Sequence, residues 1–283
     1  MQTFEELMRT KGGHWRKMWS EGDPQGNAKA QKGLLAGKPS AIHYMAPATK
    51  HKKLTGSRKT LCPNAGSCVK TCLNVQGHMG APTAQESHLA KAAARILYPE
   101  RYIQHAHHSL QLIRPDAHAR WSGTSDDFNG LIRLPAIYGK TLAEANPKRV
   151  FEEYTRLSIR AWRNAPPNVK LCYSLNEKPN SVKLAGEYLR AGHSVAIVVG
   201  PSNVTRQGIT RRVEETKQAI LDHGELFGWP VSDGDEHDWR SEDAGKIVLL
   251  KAKGSARWSL TSFIVRFSGT NITNSPVLNG LKL

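Results

Sequence analysis

Long apolar runs are missing from this 283-residue chain. No stretch approaches the roughly 20 consecutive apolar residues of a membrane-spanning helix, so we expect no membrane partner. The N-terminal sequence MQTFEELMRTKGGHWRKMW has no apolar signal core, and we therefore expect no export and a cytoplasmic location. Internal repeats and low-complexity segments are also absent. With 39% hydrophobic and 23% charged residues, the composition is typical of a soluble globular protein.

Cysteine is scarce, and its distribution is uneven. Of the four cysteines, Cys62, Cys68 and Cys72 lie within eleven residues, whereas Cys172 lies in a distant apolar run. A disulfide would leave one of the three clustered thiols unpaired, and cytoplasmic thiols stay reduced. The spacing is not that of a zinc finger or a ferredoxin. Because three thiolates on one short loop can hold a single metal ion or cluster, we favour metal binding over an ordinary loop.

Acidic residues are few, with 24 Asp and Glu against 40 Lys and Arg, which gives a net charge of +16 and a pI near 9.8. This excess predicts a polyanionic partner, most commonly a nucleic acid, although a protein can simply be basic. The charge is spread along the chain, which favours a basic face on a folded domain. DNA is the partner we expect, and RNA fits the same charge. The candidate phosphate contacts are Lys50, Lys52, Lys53, Arg58, Lys59, Arg206, Arg211 and Arg212.

The chain divides into a basic N-terminal arm, residues 1–38, and a single α/β domain, residues 39–283. In the arm, Trp15 and Trp19 either stack on bases or anchor the arm to the body. Residues 83–113 are predicted to be helical and divided at Pro99. The other predicted helices cover 181–192 and 210–228, and the predicted strands cover 40–46, 118–126, 149–155, 168–175, 193–200, 229–235 and 246–254. About seven strands alternating with helices predict a TIM-like (β/α) barrel, permuted or incomplete, with a metal loop at 61–80.

Polar residues recur where the predicted strands end. In parallel α/β folds the chemistry gathers at this edge, although a single polar strand end is ordinary turn or cap chemistry. Facing carboxylates can attack or stabilise a sugar carbon and move a proton, and a basic face would deliver a nucleic acid to them. The sequence therefore predicts chemistry at an unstacked nucleoside. The candidates are Ser122, Thr124, Ser125, Asp126, Asp127, Tyr154, Thr155, Ser174, Asn176, Glu177, Asp233, Asp235, Asp238, Arg240, Lys251 and Lys253.

Four runs in combination resemble a family of phage-borne proteins with an uncharacterised domain: TLCPNAGSCVKTCLNVQG, RWSGTSD, CYSLNE and SDGDEHDWRSEDAGKIVLLKAKG. The resemblance covers roughly residues 40–265. That family is distantly similar to the tRNA-guanine transglycosylases, and most of all to phage DNA enzymes of the DpdA type that insert 7-deazaguanine bases. The resemblance implies a TIM barrel with a zinc site and two catalytic aspartates, acting in the host cytoplasm.

Carried to this sequence, the resemblance implies a zinc ion on Cys62, Cys68 and Cys72. A fourth ligand comes from His78, with His88 as the alternative. Asp126 would handle protons on the base, and Asp235 or Asp233 would attack the sugar C1′, although these roles could be exchanged. The implied reaction replaces guanine in DNA with a 7-deazaguanine base through an aspartyl-sugar intermediate. The cysteine spacing and the early position of the metal loop differ from the transglycosylase pattern, and a circular permutation would account for the position.

Two alternatives use the same residues. Three cysteines without a fourth ligand also suit a 4Fe–4S cluster with one open iron, as in radical S-adenosylmethionine enzymes, which are similar barrels. The usual three-then-two spacing of those enzymes is absent here. The other alternative is a nucleic-acid-binding protein that is stabilised by a metal and catalyses nothing.

Overall fold

The computed structural model describes residues 2–21, 28–258, 263–268 and 271–274, and it confirms a mixed α/β architecture. The helices are α1 (Phe4–Met8), α2 (Ala28–Leu35), α3 (Lys52–Thr55), α4 (Pro82–Leu97), α5 (Pro99–Gln111), α6 (Phe128–Ile132), α7 (Ser181–Arg190) and α8 (Ile209–His223). The strands are β1 (Trp19–Ser20), β2 (Ser40–His43), β3 (His118–Arg120), β4 (Phe151–Thr155), β5 (Val169–Ser174), β6 (Ser194–Pro201), β7 (Glu225–Leu226), β8 (Trp229–Asp233), β9 (Ile247–Lys251), β10 (Ile264–Ser268) and β11 (Asn271–Asn274).

The sheet is built around seven parallel strands in the order β2-β3-β4-β5-β6-β9-β8. Antiparallel β1 and β7 flank the two ends of this row. In the described part of the chain the two ends do not pair with each other, so the sheet is open. Each of the seven predicted strands coincides with one of the parallel strands, although β3 is much shorter than predicted.

Strand β6 carries an extra neighbour near its end. Its first residues, 194–196, pair with β5, whereas 198–201 pair in parallel with β10. Strand β10 also pairs with β11, which places the C-terminal part of the described chain beside β6. Strand β10 therefore lies against a central strand of the sheet and not at its outer edge.

Helices cover one face of the sheet. Pro99 is the first residue of α5, where its missing N–H costs no helical hydrogen bond, and it separates α4 from α5 as predicted. Alternate strand residues such as Phe151, Leu171 and Ile197 join the helical residues in the main core. The described part of the 1–38 segment belongs to the same core, because Trp19 is 1% exposed and its ring N–H donates to the carbonyl of Ala106.

The other face of the sheet is covered by the loop at 236–243. On this face Tyr154 and Cys172 form a small cluster with Ala196 and Val248. In the loop, the Trp239 ring stacks on His118 with 3.8 Å between ring centroids, and both the N–H and the hydroxyl of Ser241 donate to Glu152. Arg240 is 1% exposed and forms an ion pair with Asp243 at 2.7 Å. The loop therefore fills this face with a buried network of charged groups.

Candidate functional site

The three clustered cysteines lie on the connection between the first parallel strand, β2, and helix α4. We call residues 61–80 the cysteine loop. Three short 3-10 helices, at Ser67–Thr71, Leu73–Val75 and Gly77–Gly80, form most of it. Short 3-10 turns leave many backbone groups without internal partners, so such a loop depends on contacts with its surroundings.

Four hydrogen bonds tie the cysteine loop to segments that follow β3, β4, β5 and β9. They join Asp126 N to Leu61 O (2.8 Å), Asn64 Nδ2 to Arg156 O (2.8 Å), Ser67 N to Glu177 Oε1 (2.5 Å) and Gln76 Nε2 to Ser255 Oγ (3.2 Å). The loop therefore lies across the carboxyl ends of the parallel strands, which we call the carboxyl edge. This is the edge at which parallel α/β folds place their ligands.

Glycine at position 66 permits one of these contacts. A Cβ atom built on Gly66 would collide with the carboxylate of Glu177. The absence of a side chain therefore lets the backbone around Cys68 approach the end of β5. Lys178 supports the same contact from the other side, since its Nζ donates to Asn64 Oδ1 at 3.0 Å.

The three thiols influence one another electrostatically. Burial, with smaller contributions from the nearby Asp126, Cys72 and Cys68, raises the pKa of Cys62 to about 12. Burial also raises the pKa of Cys72, again with a contribution from Cys68. Cys62 Sγ accepts a hydrogen bond from the N–H of Ala48 at 3.3 Å. All four cysteines are free, and Cys172 lies apart from the other three, buried on β5.

The donor set at the carboxyl edge consists of three soft sulfur atoms, which suit zinc or an iron–sulfur cluster. His78, the predicted fourth ligand, is exposed on the surface. His88 is buried on α4, where its Nδ1 lies 2.8 Å from Asn74 Oδ1, and burial lowers its pKa to about 4. Within the described ranges, no three His, Cys, Asp or Glu side chains are arranged to hold one metal ion. The structure thus brings the cysteines to one place but does not show a ready-made site for a single ion.

Asp126 joins the cysteine loop to the sheet. Its side chain is buried and accepts from the Thr155 hydroxyl and from the N–H of Arg156, both at 2.9 Å. Burial outweighs these bonds and raises the pKa of Asp126 to about 6. The same carboxylate can therefore link β3 to β4 and exchange a proton near neutral pH.

The other two predicted catalytic carboxylates, Asp233 and Asp235, belong to a separate cluster at the end of β8. Lys217 Nζ lies 2.6 Å from Asp233 and 3.4 Å from Asp235. Lys253 Nζ lies 2.8 Å from Asp235, which also accepts from the N–H of Lys251. Burial would raise the pKa of Asp235, but the two lysines and the backbone bond lower it overall. Four strands separate β3 from β8 in the sheet, and the contacts of Asp126 and Asp235 do not overlap.

The predicted substrate-binding residues lie in three places: the carboxyl edge near the cysteine loop, the face under the 236–243 loop, and the end of β9. At the carboxyl edge, the Thr124 hydroxyl donates to the carbonyl of Met45, and Ser122 Oγ accepts from the N–H of Asp127. The Glu177 carboxylate accepts from the N–H of Ser67. Ser125 and Ser174 lie on the same edge. The second place is the face of the sheet under the 236–243 loop, which holds Tyr154, Asp238 and Arg240. There Arg120 lies over the Tyr154 ring at 4.1 Å and contacts Asp238 at 3.5 Å. Lys251 pairs with Glu214, and Lys253 with Asp235.

Five of the eight predicted phosphate contacts surround helix α3, beside the cysteine loop. The five cations between residues 50 and 59 are exposed, and Lys50 lies near enough to Cys72 to lower the pKa of that thiol slightly. Arg206 is exposed and lies over Trp258, and Arg211 pairs with Glu215 on α8. Arg212 differs, because it holds its own loop by donating to Gln207 O and to Thr205.

Sequence reasoning did not identify Lys217 or Arg156 as members of these clusters. Lys217 is 5% exposed and occupies the buried stripe of α8 together with Val213 and Ile220. A lysine in an apolar helical stripe signals a buried carboxylate partner. Arg156 follows β4, and its guanidinium lies 3.8 Å from Glu177, beneath the cysteine loop. No local pattern marks that position.

A family model described as Gene product 88 matches residues 19–266, so the chain belongs to the Gene product 88 family of phage proteins. The predicted membership of a phage-borne family is thereby confirmed, whereas nothing in the comparisons supports the transglycosylase resemblance. No curated protein sequence and no solved structure gives a significant match. Among the described residues, none of the helices has the length and apolarity needed to cross a membrane.

Proposed function

We propose that this member of the Gene product 88 family is an iron–sulfur enzyme that uses S-adenosylmethionine, with Cys62, Cys68 and Cys72 as the three protein ligands of a 4Fe–4S cluster. The observation that carries the proposal is the position of these thiols. All three lie on the loop after the first parallel strand, which crosses the carboxyl edge of an open parallel sheet, and they are near enough to interact electrostatically.

The donor set favours a cluster over the predicted zinc ion. A structural zinc site needs four ligands around one ion, and His78 is exposed while His88 is bonded to Asn74. A cluster binds each thiolate through a different iron atom, so its thiolates need not approach one point. Three thiolates also leave one iron for S-adenosylmethionine, and the cluster with this ligand supplies one-electron radical chemistry.

The chain's own side chains would support such a site in two ways. Hydrogen bonds between the cysteine loop and the backbone N–H of Asp126, the carbonyl of Arg156 and the hydroxyl of Ser255 hold the loop against the sheet. The Asp126 carboxyl, with a pKa raised to about 6 by burial, can hold or release a proton beside Cys62. The exposed cations around α3 favour a nucleic acid as the substrate, so the proposed reaction is a modification of DNA or RNA.

Metal analysis after anaerobic purification tests the proposal. We expect a brown protein with about four irons and four sulfides per chain. Replacing Cys62, Cys68 and Cys72 together by alanine should remove the iron. The matched control is Cys172→Ala, which removes a buried cysteine elsewhere and should leave the iron content unchanged. A colourless protein with one zinc per chain would refute the cluster.

The base-exchange reaction is a second candidate, because a carboxyl with a pKa of about 6 suits proton transfer to a purine. In that case zinc occupies the cysteine loop and Asp126→Asn abolishes incorporation of a 7-deazaguanine base into DNA. Mass spectrometry of the nucleosides, with Asp116→Asn as an exposed control, decides this. Full exchange by the Asp126 variant would rule the reaction out.

A further inference from the structure

A second concave site lies at the opposite edge of the sheet from the cysteine loop. It is a cavity of about 530 Å³ that reaches the first residues of β5 and β6, Val169 and Ser194. This volume lies within the range of about 300–1,000 Å³ that holds small-molecule ligands. The cavity shares no residue with the cysteine loop, the carboxyl edge or the Lys217 cluster.

The walls of the cavity are about equally polar and apolar. Trp162, Pro166, Pro167 and Leu171 contribute to the apolar part. Trp162 is 4% exposed, and its ring N–H donates to the Thr155 hydroxyl at 3.3 Å, so its ring is held in place. Rigid apolar walls of this kind favour a ligand with a flat or compact apolar body.

The charged groups around the cavity are all basic. Arg163, Lys170, His193 and Arg240 line it, and no Asp or Glu of the described residues does. Burial and the neighbouring Lys170 lower the pKa of His193, which leaves the two arginines and the lysine as the cations at neutral pH. This positive charge favours an anionic ligand in the cavity.

Arg240 lies behind the cavity wall and offers no accessible donor to a ligand. Its guanidinium is fully buried, with Nη1 2.7 Å from Asp243 and Nη2 donating to the carbonyl of His237. Arg163 and Lys170, which keep exposed surface, are therefore the cations that an anion in the cavity can contact.

We propose that this cavity binds a small organic anion, a phosphate or carboxylate group attached to an apolar body. The anionic group lies against Arg163 and Lys170, and the apolar body lies against the Trp162 and Pro166 side. The cavity does not depend on the cysteine loop, so a failure of the proposed cluster would leave this anion site untouched, and the reverse also holds.

Equilibrium dialysis of the full chain tests this site with four probes: thymidine 5′-monophosphate, benzoate, thymidine and inorganic phosphate. We expect one of the two organic anions to bind at least about tenfold more tightly than thymidine and inorganic phosphate, because only the organic anions satisfy both the cations and the walls. Thymidine 5′-monophosphate identifies a phosphate ligand, and benzoate a carboxylate ligand.

The double variant Arg163→Ala, Lys170→Ala should weaken binding of the preferred anion at least about tenfold, because it removes the two accessible cations that line the cavity. The control is Arg160→Ala, an exposed arginine on the same turn that does not line the cavity. Binding of thymidine as tight as its monophosphate, no binding of either organic anion at millimolar concentration, or unchanged affinity in the folded double variant would overturn the proposal.

Discussion

The backbone N–H of Asp126 donates a hydrogen bond to the carbonyl oxygen of Leu61 across 2.8 Å. Leu61 immediately precedes Cys62, and the Asp126 carboxylate binds the end of β4 through Thr155 and Arg156. One residue therefore fixes both the start of the cysteine loop and the contact between two parallel strands. A buried carboxylate in this position makes stability depend on pH.

Replacing Asp126 by asparagine should change that pH dependence. In the folded protein the carboxyl holds its proton up to a pH of about 6, whereas in the unfolded chain it loses the proton near pH 4. The folded state thus binds more protons between these values, and wild-type stability relative to the variant falls as the pH rises through this window. The expected change is at most about 3 kcal/mol, measured by urea unfolding at pH 4.5 and pH 7.5.

The comparison of the two proteins isolates Asp126 from other buried acids. Glu153, whose pKa burial raises to about 8, titrates in both. A stability difference between wild type and variant that stays constant across the window would show that Asp126 is not buried as an acid.

Lys217→Met should strongly destabilise the protein. The methionine keeps the length of the side chain but leaves Asp233 and Asp235 without their buried partner, at a cost of about 3–5 kcal/mol. Because its neighbours lower the pKa of Asp235, this contribution is fully present above about pH 4 and is lost as the pH falls further. Chemical unfolding at pH 7 and pH 3 measures both effects.

Lys183→Met provides the control for this variant, since Lys183 is an exposed lysine on α7. We expect it to change stability by less than about 0.5 kcal/mol. Equal stability of the two variants at pH 7 would contradict the buried ion pairs.

Gly66→Ala should impair metal binding without removing a ligand. The added methyl group collides with the Glu177 carboxylate, so that side chain must turn away and the Ser67 N–H of the cysteine loop loses its acceptor. We expect the iron content per chain to fall by about half or more, since ligand thiolates must be placed accurately. Gly12→Ala, where the nearest atom to the new methyl lies at 3.5 Å, should retain full iron. Full iron in both variants would show that the loop is not held as the structure describes.

Patterns in the sequence predicted the elements of the fold well, because helices and buried strands have their own periodicity. The division of α4 from α5 at Pro99 follows from proline chemistry alone. The strand predicted over 118–126 is much shorter, since the chain leaves the sheet after Arg120 to hold the cysteine loop. The position of β9 between β6 and β8 has no local signal, because strand order depends on long-range packing.

The site shows the same limit. Three nearby cysteines predicted a metal site. The structure brings their thiols near enough to interact electrostatically, but among the described residues no group of side chains is arranged around one ion. Strand-end position predicted that Tyr154, Asp238 and Arg240 would lie at the carboxyl edge. These residues instead lie on the face of the sheet that the loop at 236–243 covers. Whether a polar side chain lies at the edge of the sheet or under a loop depends on where the following loop folds against the sheet, and composition does not encode this.

Charge reversal near the cysteine loop should weaken nucleic-acid binding. Lys52 and Lys53 are exposed on α3, and Lys52→Glu with Lys53→Glu should reduce DNA affinity at every sequence. The slope of log affinity against log salt should fall by about 2, because about two fewer counterions are released. The control is Lys140→Glu with Lys148→Glu, two exposed lysines that precede β4. Equal losses in both pairs would indicate attraction by net charge alone.

Electron paramagnetic resonance of the anaerobically reduced protein shows whether the cysteine loop holds an iron–sulfur cluster. If Cys62, Cys68 and Cys72 hold a 4Fe–4S cluster with one open iron, the reduced protein gives a cluster signal that changes when S-adenosylmethionine is added, and Cys172→Ala behaves in the same way. A cluster signal that S-adenosylmethionine leaves unchanged would refute an open iron. No iron signal in a protein that contains zinc would refute the cluster itself.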